Sequence, residues 1–581
     1  MKQIVENNNK SFKTLELVGL FLFAAVGALW TYSHLGTTKN WDDLLYMSLS
    51  QNTGPESWIL NRYGHIYLQK FFMFLAGDAI TGGKIFWLFI FFGTSVLVYF
   101  CTRLIDLSKS RLVAVIAVLF FIMLPGFAEE LGCTLSDFTV MFIFAAMALV
   151  YLLLPAKANK LYKYMVILLG LLFFWAVKSK ETGICSIVLF CGLGRDEDVF
   201  SLKRFFKDAG LVLVGMLAGC ILLMMLDGIF IRDFFFSVRP SSIANVLGTN
   251  INAPTGAYDP YYSQRPIISW FNYMTTTPLF PLLVFYILAA KQSSVIGGVR
   301  KRLLSIVPLI TLVFLTYIRS SFTVLPRYFS PALPVLCVFA AQFFDFDFSR
   351  ITITKNSKLS KYIAAILAIA AAFILVGILM WLVPSFIGFY KNPKEPSAFY
   401  AVAIMPLTVL VVLILIMLTN KQNMLYLFVS FFCLFMVVYL PLQNNINDVK
   451  SNALKFRSEW RFAPLSVFGK YLELDKNKKI LVSQNVHKDT WMLGRNQESQ
   501  TWIFNVGLNQ KLSYSQLIDG AEADILKGDY DYAILIADDQ TVQLSKKPEF
   551  QKLLARYEII QDKTVQPGGE GAVPLILLKK R

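Results

Sequence analysis

Asp137-Phe-Thr-Val-Met-Phe-Ile-Phe-Ala-Ala-Met-Ala-Leu-Val-Tyr-Leu-Leu-Leu154 is an eighteen-residue stretch with one charge, at its first position. A helix needs roughly 17–25 consecutive apolar residues to cross a hydrocarbon core about 30 Å thick, so this stretch reads as a membrane span with a carboxylate at its mouth. Comparable stretches lie at 15–33, 84–101, 111–127, 163–178, 182–193, 208–226, 277–290, 302–317, 327–344, 361–383, 400–418 and 424–441, which makes thirteen spans. Two of them, 182–193 and 277–290, are short for an α-helix that must cross. The composition agrees. The chain of 581 residues is 56% hydrophobic with mean hydropathy +0.55 and 16% charged, against about 45–50% apolar and about 25% charged in soluble domains. Disordered, collagen-like and disulfide-scaffold classes are excluded, and the fold expected is a polytopic α-helical membrane protein.

The formal net charge is +17, and in a membrane protein Lys and Arg serve first as topology signals. With the N-terminus inside, the cytoplasmic segments hold 22 basic residues, while opposite loops nearly twice as long in total hold 13. That asymmetry predicts a cytoplasmic Lys2 and leaves no footprint for nucleic acid. The first stretch is too long for the apolar core of a cleaved signal, so it is expected to stay as an anchor.

An odd number of spans places 443–581 outside the cytoplasm. This tail reads as an α/β domain separate from a multi-span unit at 1–442. Strand-like runs occur at 479–484, 532–537, 557–561 and 572–578, with helical patterns at 514–527 and 547–556. None of the seven Cys lies in it, and the one glycosylation sequon, Asn9-Lys10-Ser11, falls on the cytoplasmic side. Both facts suit a bacterial cytoplasmic membrane better than a secretory-pathway membrane.

The groups able to do chemistry gather in outer loops. The first outer loop, 33–83, is far longer than a connection requires. It holds Trp41-Asp42-Asp43-Leu-Leu-Tyr46 and then Asn61-Arg62-Tyr63-Gly64-His65 before an apolar run from Ile66 to Ala76. Asp42 and Asp43 stand where a helix starts, so capping accounts for them as readily as catalysis does. The second outer loop supplies Glu129 and Glu130, then Asp137; a solvated loop and a helix cap are the plain alternatives. The third is the tight turn Lys178-Ser-Lys180-Glu181-Thr-Gly183, where Lys180 and Glu181 can neutralise each other. Arg319 follows the ninth span, and Arg327-Tyr328 opens the next, running to Pro331 and Pro334. An Arg there can snorkel to the interface, or its planar donors can clamp a phosphate. With three His and no zinc-protease, nucleotide-loop or serine-hydrolase motif, the chemistry is left to carboxylates, cations and a substrate that arrives already activated.

In these residues the sequence resembles the GT-C superfamily of membrane glycosyltransferases, in particular the branch of protein O-mannosyltransferases and the lipid A aminoarabinose transferase. The matching positions are Asp42-Asp43, Arg62, Asp137, Lys180 and Arg327-Tyr328 with Pro331 and Pro334, set within an N-in first span, a long first outer loop and an outer C-terminal domain. The resemblance implies a sugar donor carried on a polyprenyl phosphate and transfer on the outer face, usually with inversion. It implies that Asp42 or Asp43 activates the acceptor hydroxyl while Arg62, Lys180 and Arg327 hold the donor phosphate. His65, Glu129, Glu130, Glu181, Arg319 and Tyr328 complete the expected substrate-binding set. It leaves open a divalent metal on Asp42 and Asp43, and an acceptor that is lipid, glycan, wall polymer or protein.

Two readings from other classes compete. A transporter or lipid flippase predicts charges spread through both leaflets and inverted repeats, whereas here the carboxylates gather at outer helix ends and no repeat is evident. A noncatalytic envelope-assembly factor predicts that Asp42 and Arg327 can be neutralised without loss.

Overall fold

The computed structural model describes residues 46, 47, 49–51, 62–105, 111–122, 135–154, 159–196, 199–239, 283, 298–313, 326–342, 478–483, 517–520, 530–536, 548, 551–552, 555–565 and 573–581. The helices among them are α1 (Tyr63–Ala76), α2 (Ala79–Ile105), α3 (Arg111–Ile122), α4 (Ser136–Leu153), α5 (Lys160–Ser179), α6 (Leu202–Phe230), α7 (Gly298–Val313) and α8 (Leu333–Ala341). Three 3-10 segments, Glu181–Gly192, Phe236–Val238 and Pro326–Ala332, lie between them. Thr81–Ile105, Ser136–Leu153, Lys160–Ser179 and Leu202–Phe230 are long and apolar enough to cross a membrane. They coincide with the stretches expected at 84–101, 137–154, 163–178 and 208–226. The stretches 15–33, 361–383, 400–418 and 424–441, and the boundary at 442, fall outside the described residues.

Packing follows side-chain size. Around α4, the helix of the opening stretch, Phe144 and Tyr151 are fully buried with Phe120 and Phe121 of α3 and Phe339 of α8. Hydroxyls inside the apolar helices are satisfied locally: Thr94 donates to the Ile90 carbonyl (2.6 Å) and Thr102 to that of Val98 (2.7 Å). The outward faces stay apolar, with Phe92 and Phe100 of α2 and Leu213, Leu217, Ile221 and Met225 of α6 exposed. Lipid accepts such a surface and water does not.

α5 and α6 lie closest. A Cβ on Gly170 would come within 2.1 Å of the Val212 carbonyl oxygen, and one on Gly215 within 1.9 Å of that of Ile167. Gly219 in turn packs on Phe174, so partners rise together along both helices and the two run in the same direction. The chain therefore returns between them through Glu181–Gly192. As a 3-10 helix of 12 residues this segment extends about 24 Å, where an α-helix of that length reaches about 18 Å. The greater rise explains how a stretch too short for an α-helical span connects the two ends.

In the C-terminal part five strands form one mixed sheet: β3 (Ile480–Ser483), β4 (Leu517–Gly520), β5 (Tyr532–Ile536), β6 (Tyr557–Val565) and β7 (Val573–Lys580), after a two-strand hairpin β1 (Arg195–Asp196) and β2 (Val199–Phe200) earlier in the chain. The order is β4-β3-β5-β7-β6, with β3 parallel to β4 and β5, and β7 antiparallel to β5 and β6. All four expected strands occur. The helix expected over 514–527 is corrected, because β4 lies within it. A short apolar run such as Leu517-Ile518 has no period of its own, and the parallel partner β3 decides its state.

Candidate functional site

One end of the helical bundle collects four of the expected charged residues. α4 begins after Leu135, whose extended backbone starts the helix without a side-chain cap, so Asp137 is not spent on capping. α5 ends at Ser179, and Lys180 breaks the helix with an extended backbone (φ −166°, ψ 150°) while its amide still reaches the Ala176 carbonyl (3.0 Å). The break turns the Lys180 ammonium onto α4, where Nζ lies 2.6 Å from Asp137 Oδ2, with both side chains at least 96% buried. The second oxygen, Asp137 Oδ1, is buried and takes no hydrogen bond among the described residues.

Beside this pair, the Arg62 guanidinium lies 3.8 Å from Glu181 Oε1, and it also donates to the Tyr46 phenol oxygen. Ser136 donates to the same phenol (3.4 Å), so Tyr46 joins the start of α4 to Arg62. Lys180 pairs directly with Asp137 and Glu181 with Arg62, while Lys180 and Glu181 still act on each other electrostatically. Neighbouring residues on an extended backbone point apart, so each reaches across to a different element.

His65, expected to bind substrate, is fully buried: its Nδ1 is 2.7 Å from Thr139 Oγ1, and its ring meets the edges of Tyr46 (4.8 Å) and Phe86 (5.5 Å). The structure thus fastens it to α4. α1 is seated on α5 by the Trp175 indole N–H, which donates to the Gly64 carbonyl (3.1 Å). Only Gly fits there, since a Cβ would stand 2.9 Å from Ser179 Oγ and 3.0 Å from the Lys178 carbonyl. The helical residues around Tyr46 are held in turn by Ser50, whose hydroxyl donates to Gln69 Oε1 (2.9 Å), and by Lys70, which donates to the Ser50 carbonyl (3.0 Å).

Electrostatically the cluster is a quartet of two cations and two carboxylates, with Asp137 and Lys180 buried and Arg62 and Glu181 half-buried. Burial pushes the Lys180 ammonium down to about 8; Asp137 opposes that shift, Arg62 adds to it and Glu181 opposes it. Arg62 and Lys180 therefore sense each other as well as their partners.

Arg327 and Tyr328 lie on the 3-10 segment Pro326–Ala332, which packs against α4. Asp42, Asp43, Glu129, Glu130 and Arg319 fall outside the described residues. Among the described residues no three His, Cys, Asp or Glu side chains group as metal ligands. Sequence reasoning missed Tyr46, Ser136 and Thr139 as members of the site. Their spacing was the available signal: Tyr46 stands one helical turn after Asp42 and Asp43, and Ser136 and Thr139 flank Asp137.

No family model matches the sequence, and no curated protein does. Among solved structures, the crystal structure of ArnT from Cupriavidus metallidurans in the apo state aligns over 97% of this chain and 98% of that chain, with TM-score 0.51 at 12% identity. The chain shares the fold of that structure. The archaeal oligosaccharyltransferase AglB from Archaeoglobus fulgidus, in complex with an inhibitory peptide and a dolichol-phosphate, aligns over 94% of this chain and 73% of that chain, with TM-score 0.40 at 11% identity.

Proposed function

We propose that this chain is a glycosyltransferase of the bacterial cytoplasmic membrane that moves a sugar from a polyprenyl-phosphate carrier to an acceptor on the extracytoplasmic face. The observation that carries the reading is the meeting of half-buried Arg62 and Glu181 with the buried pair Asp137 and Lys180 at one end of the bundle. Charges kept at such depth are costly unless compensated, and a quartet of this kind accommodates a phosphate by exchanging internal partners for the substrate's oxygens. The resemblance to the GT-C superfamily and the fold shared with ArnT support the same reading.

In the reaction, the bond between the anomeric carbon and the phosphate oxygen breaks as the acceptor oxygen attacks from the opposite face, which inverts the carbon. The electron pair of the broken bond leaves on the polyprenyl phosphate. Arg62, Lys180 and Arg327 hold that phosphate as its charge grows, and Asp42 or Asp43 takes the acceptor proton. The phosphate is a good leaving group, so orientation and charge stabilisation are the main demands on the protein. Asp137 keeps Lys180 aimed. The acceptor is a hydroxyl-bearing lipid, glycan, wall polymer or protein.

Purified protein is expected to release polyprenyl phosphate from a labelled lipid-linked sugar when acceptor is supplied. Asp42→Asn or Asp43→Asn, whichever is the base, should lower turnover about 10²–10⁴-fold while donor affinity and folding hold, since Asn still caps a helix. Movement of intact lipid-linked sugar across the membrane without release would make the protein a flippase. Full activity in both Asn variants would remove the pair from the mechanism.

A further inference from the structure

A second buried polar group lies beside the site and takes no part in the chemistry described above. Asp227, in the last turn of α6, is fully buried, and its Oδ1 accepts from the Tyr67 phenol (2.5 Å) and from Ser237 Oγ (2.9 Å). Its Oδ2 accepts the Ser237 backbone N–H (3.0 Å). The Ser237 carbonyl accepts from Lys178 Nζ (2.6 Å), so both backbone groups of one residue are gripped, one by a carboxylate and one by an ammonium. Burial, and then Asp227, raise the Tyr67 phenol well above its ordinary pKa, which keeps it a donor. Phe236 adds an edge contact to the Tyr63 ring at 5.4 Å.

These bonds hold the short 3-10 turn Phe236–Val238 to α1, α5 and α6. Three of the residues in this network are near members of the site in the chain: Tyr63 follows Arg62, Tyr67 stands two residues after His65, and Lys178 stands two residues before Lys180. A buried polar network gives little net stability over apolar packing, so its value lies in specifying one arrangement. We propose that Asp227, with Tyr67, Ser237 and Lys178, is a positioning device that fixes Phe236–Val238 against the phosphate-binding end of α1 and α5. The positioning role rests on the glycosyltransferase reading, whereas the fastening itself does not.

The test uses full-length protein in lipid nanodiscs and the variants Asp227→Asn, Tyr67→Phe and Ser237→Ala. Peptides covering 231–239 are expected to exchange amide hydrogen faster in each variant. Affinity for polyprenyl phosphate should fall about tenfold, and the KM for lipid-linked sugar should rise with kcat within about twofold, an effect of about 1.4 kcal/mol on binding. Unchanged exchange in all three variants overturns the fastening. Faster exchange with unaltered affinity and KM makes the network structural only and overturns the positioning. Wild-type protein that neither binds polyprenyl phosphate nor consumes lipid-linked sugar refutes the glycosyltransferase reading and the positioning with it, while exchange still decides the fastening.

Discussion

At the scale of single residues, the pair of Lys180 and Asp137 separates structure from function. Removing one partner leaves the other charge buried and uncompensated, at a cost of about 3–5 kcal/mol, whereas removing both is close to neutral for folding. Lys180→Met and Asp137→Asn are each expected to lower the thermal midpoint in detergent clearly more than the double variant, yet the double variant should still fail to bind polyprenyl phosphate. Binding by the double variant would reduce the pair to a packing device. The lowered Lys180 pKa also predicts a pH profile. With its pKa pushed down to about 8, chiefly by burial, the ammonium is charged below that pH and neutral above it, while an exposed Lys holds its proton to about 10.4. Phosphate affinity should therefore be level from about pH 6 to 7.5 and then fall by up to about tenfold per unit above 8. Lys180→Arg, whose charge does not titrate, should flatten the fall. A wild-type profile level to about pH 9.5 would mean that Lys180 does not meet the phosphate.

At the scale of elements, the seam between α5 and α6 governs how far apart the carriers of Lys180 and Asp227 can stand. Gly170 and Gly215 bring one backbone onto the other, and lipid offers no hydrophobic force to compensate for a worse fit. Gly215→Ala should push the helices apart and destabilise by about 1–3 kcal/mol, the usual range for overpacking a tight contact. Gly210→Ala is the control, because a Cβ there meets nothing within 4 Å. A midpoint equal for both variants would mean that the seam tolerates separation. The return segment Glu181–Gly192 is a different element from the expected one: its apolar pattern shows a buried helix, but the 3-10 winding follows from the distance it has to cover.

For the whole molecule, the basic-residue asymmetry predicts a cytoplasmic N-terminus and an outer C-terminal domain. Thiol labelling from outside intact cells should reach a Cys placed at Ser451 or Gln561 in a chain freed of its native cysteines, and should not reach one placed at Lys10. Protection of both outer positions would put the tail inside and make the number of spans even.

The sequence alone determined that the chain is a membrane bundle, where four of its long helices run and which four runs in the tail become strands, and it singled out Arg62, Asp137, Lys180 and Glu181. Apolar length and charge depth are local properties, and lipid enforces them wherever the segment sits. Tertiary structure decided the pairing. Lys180 turns to Asp137 rather than to its neighbour, Tyr46 and Thr139 join the site, Leu517-Ile518 becomes a strand, and Asp227 reaches across to Ser237. Each of these depends on which backbone stands within about 3 Å of a side chain, and spacing along one chain carries no record of what packs against it from another.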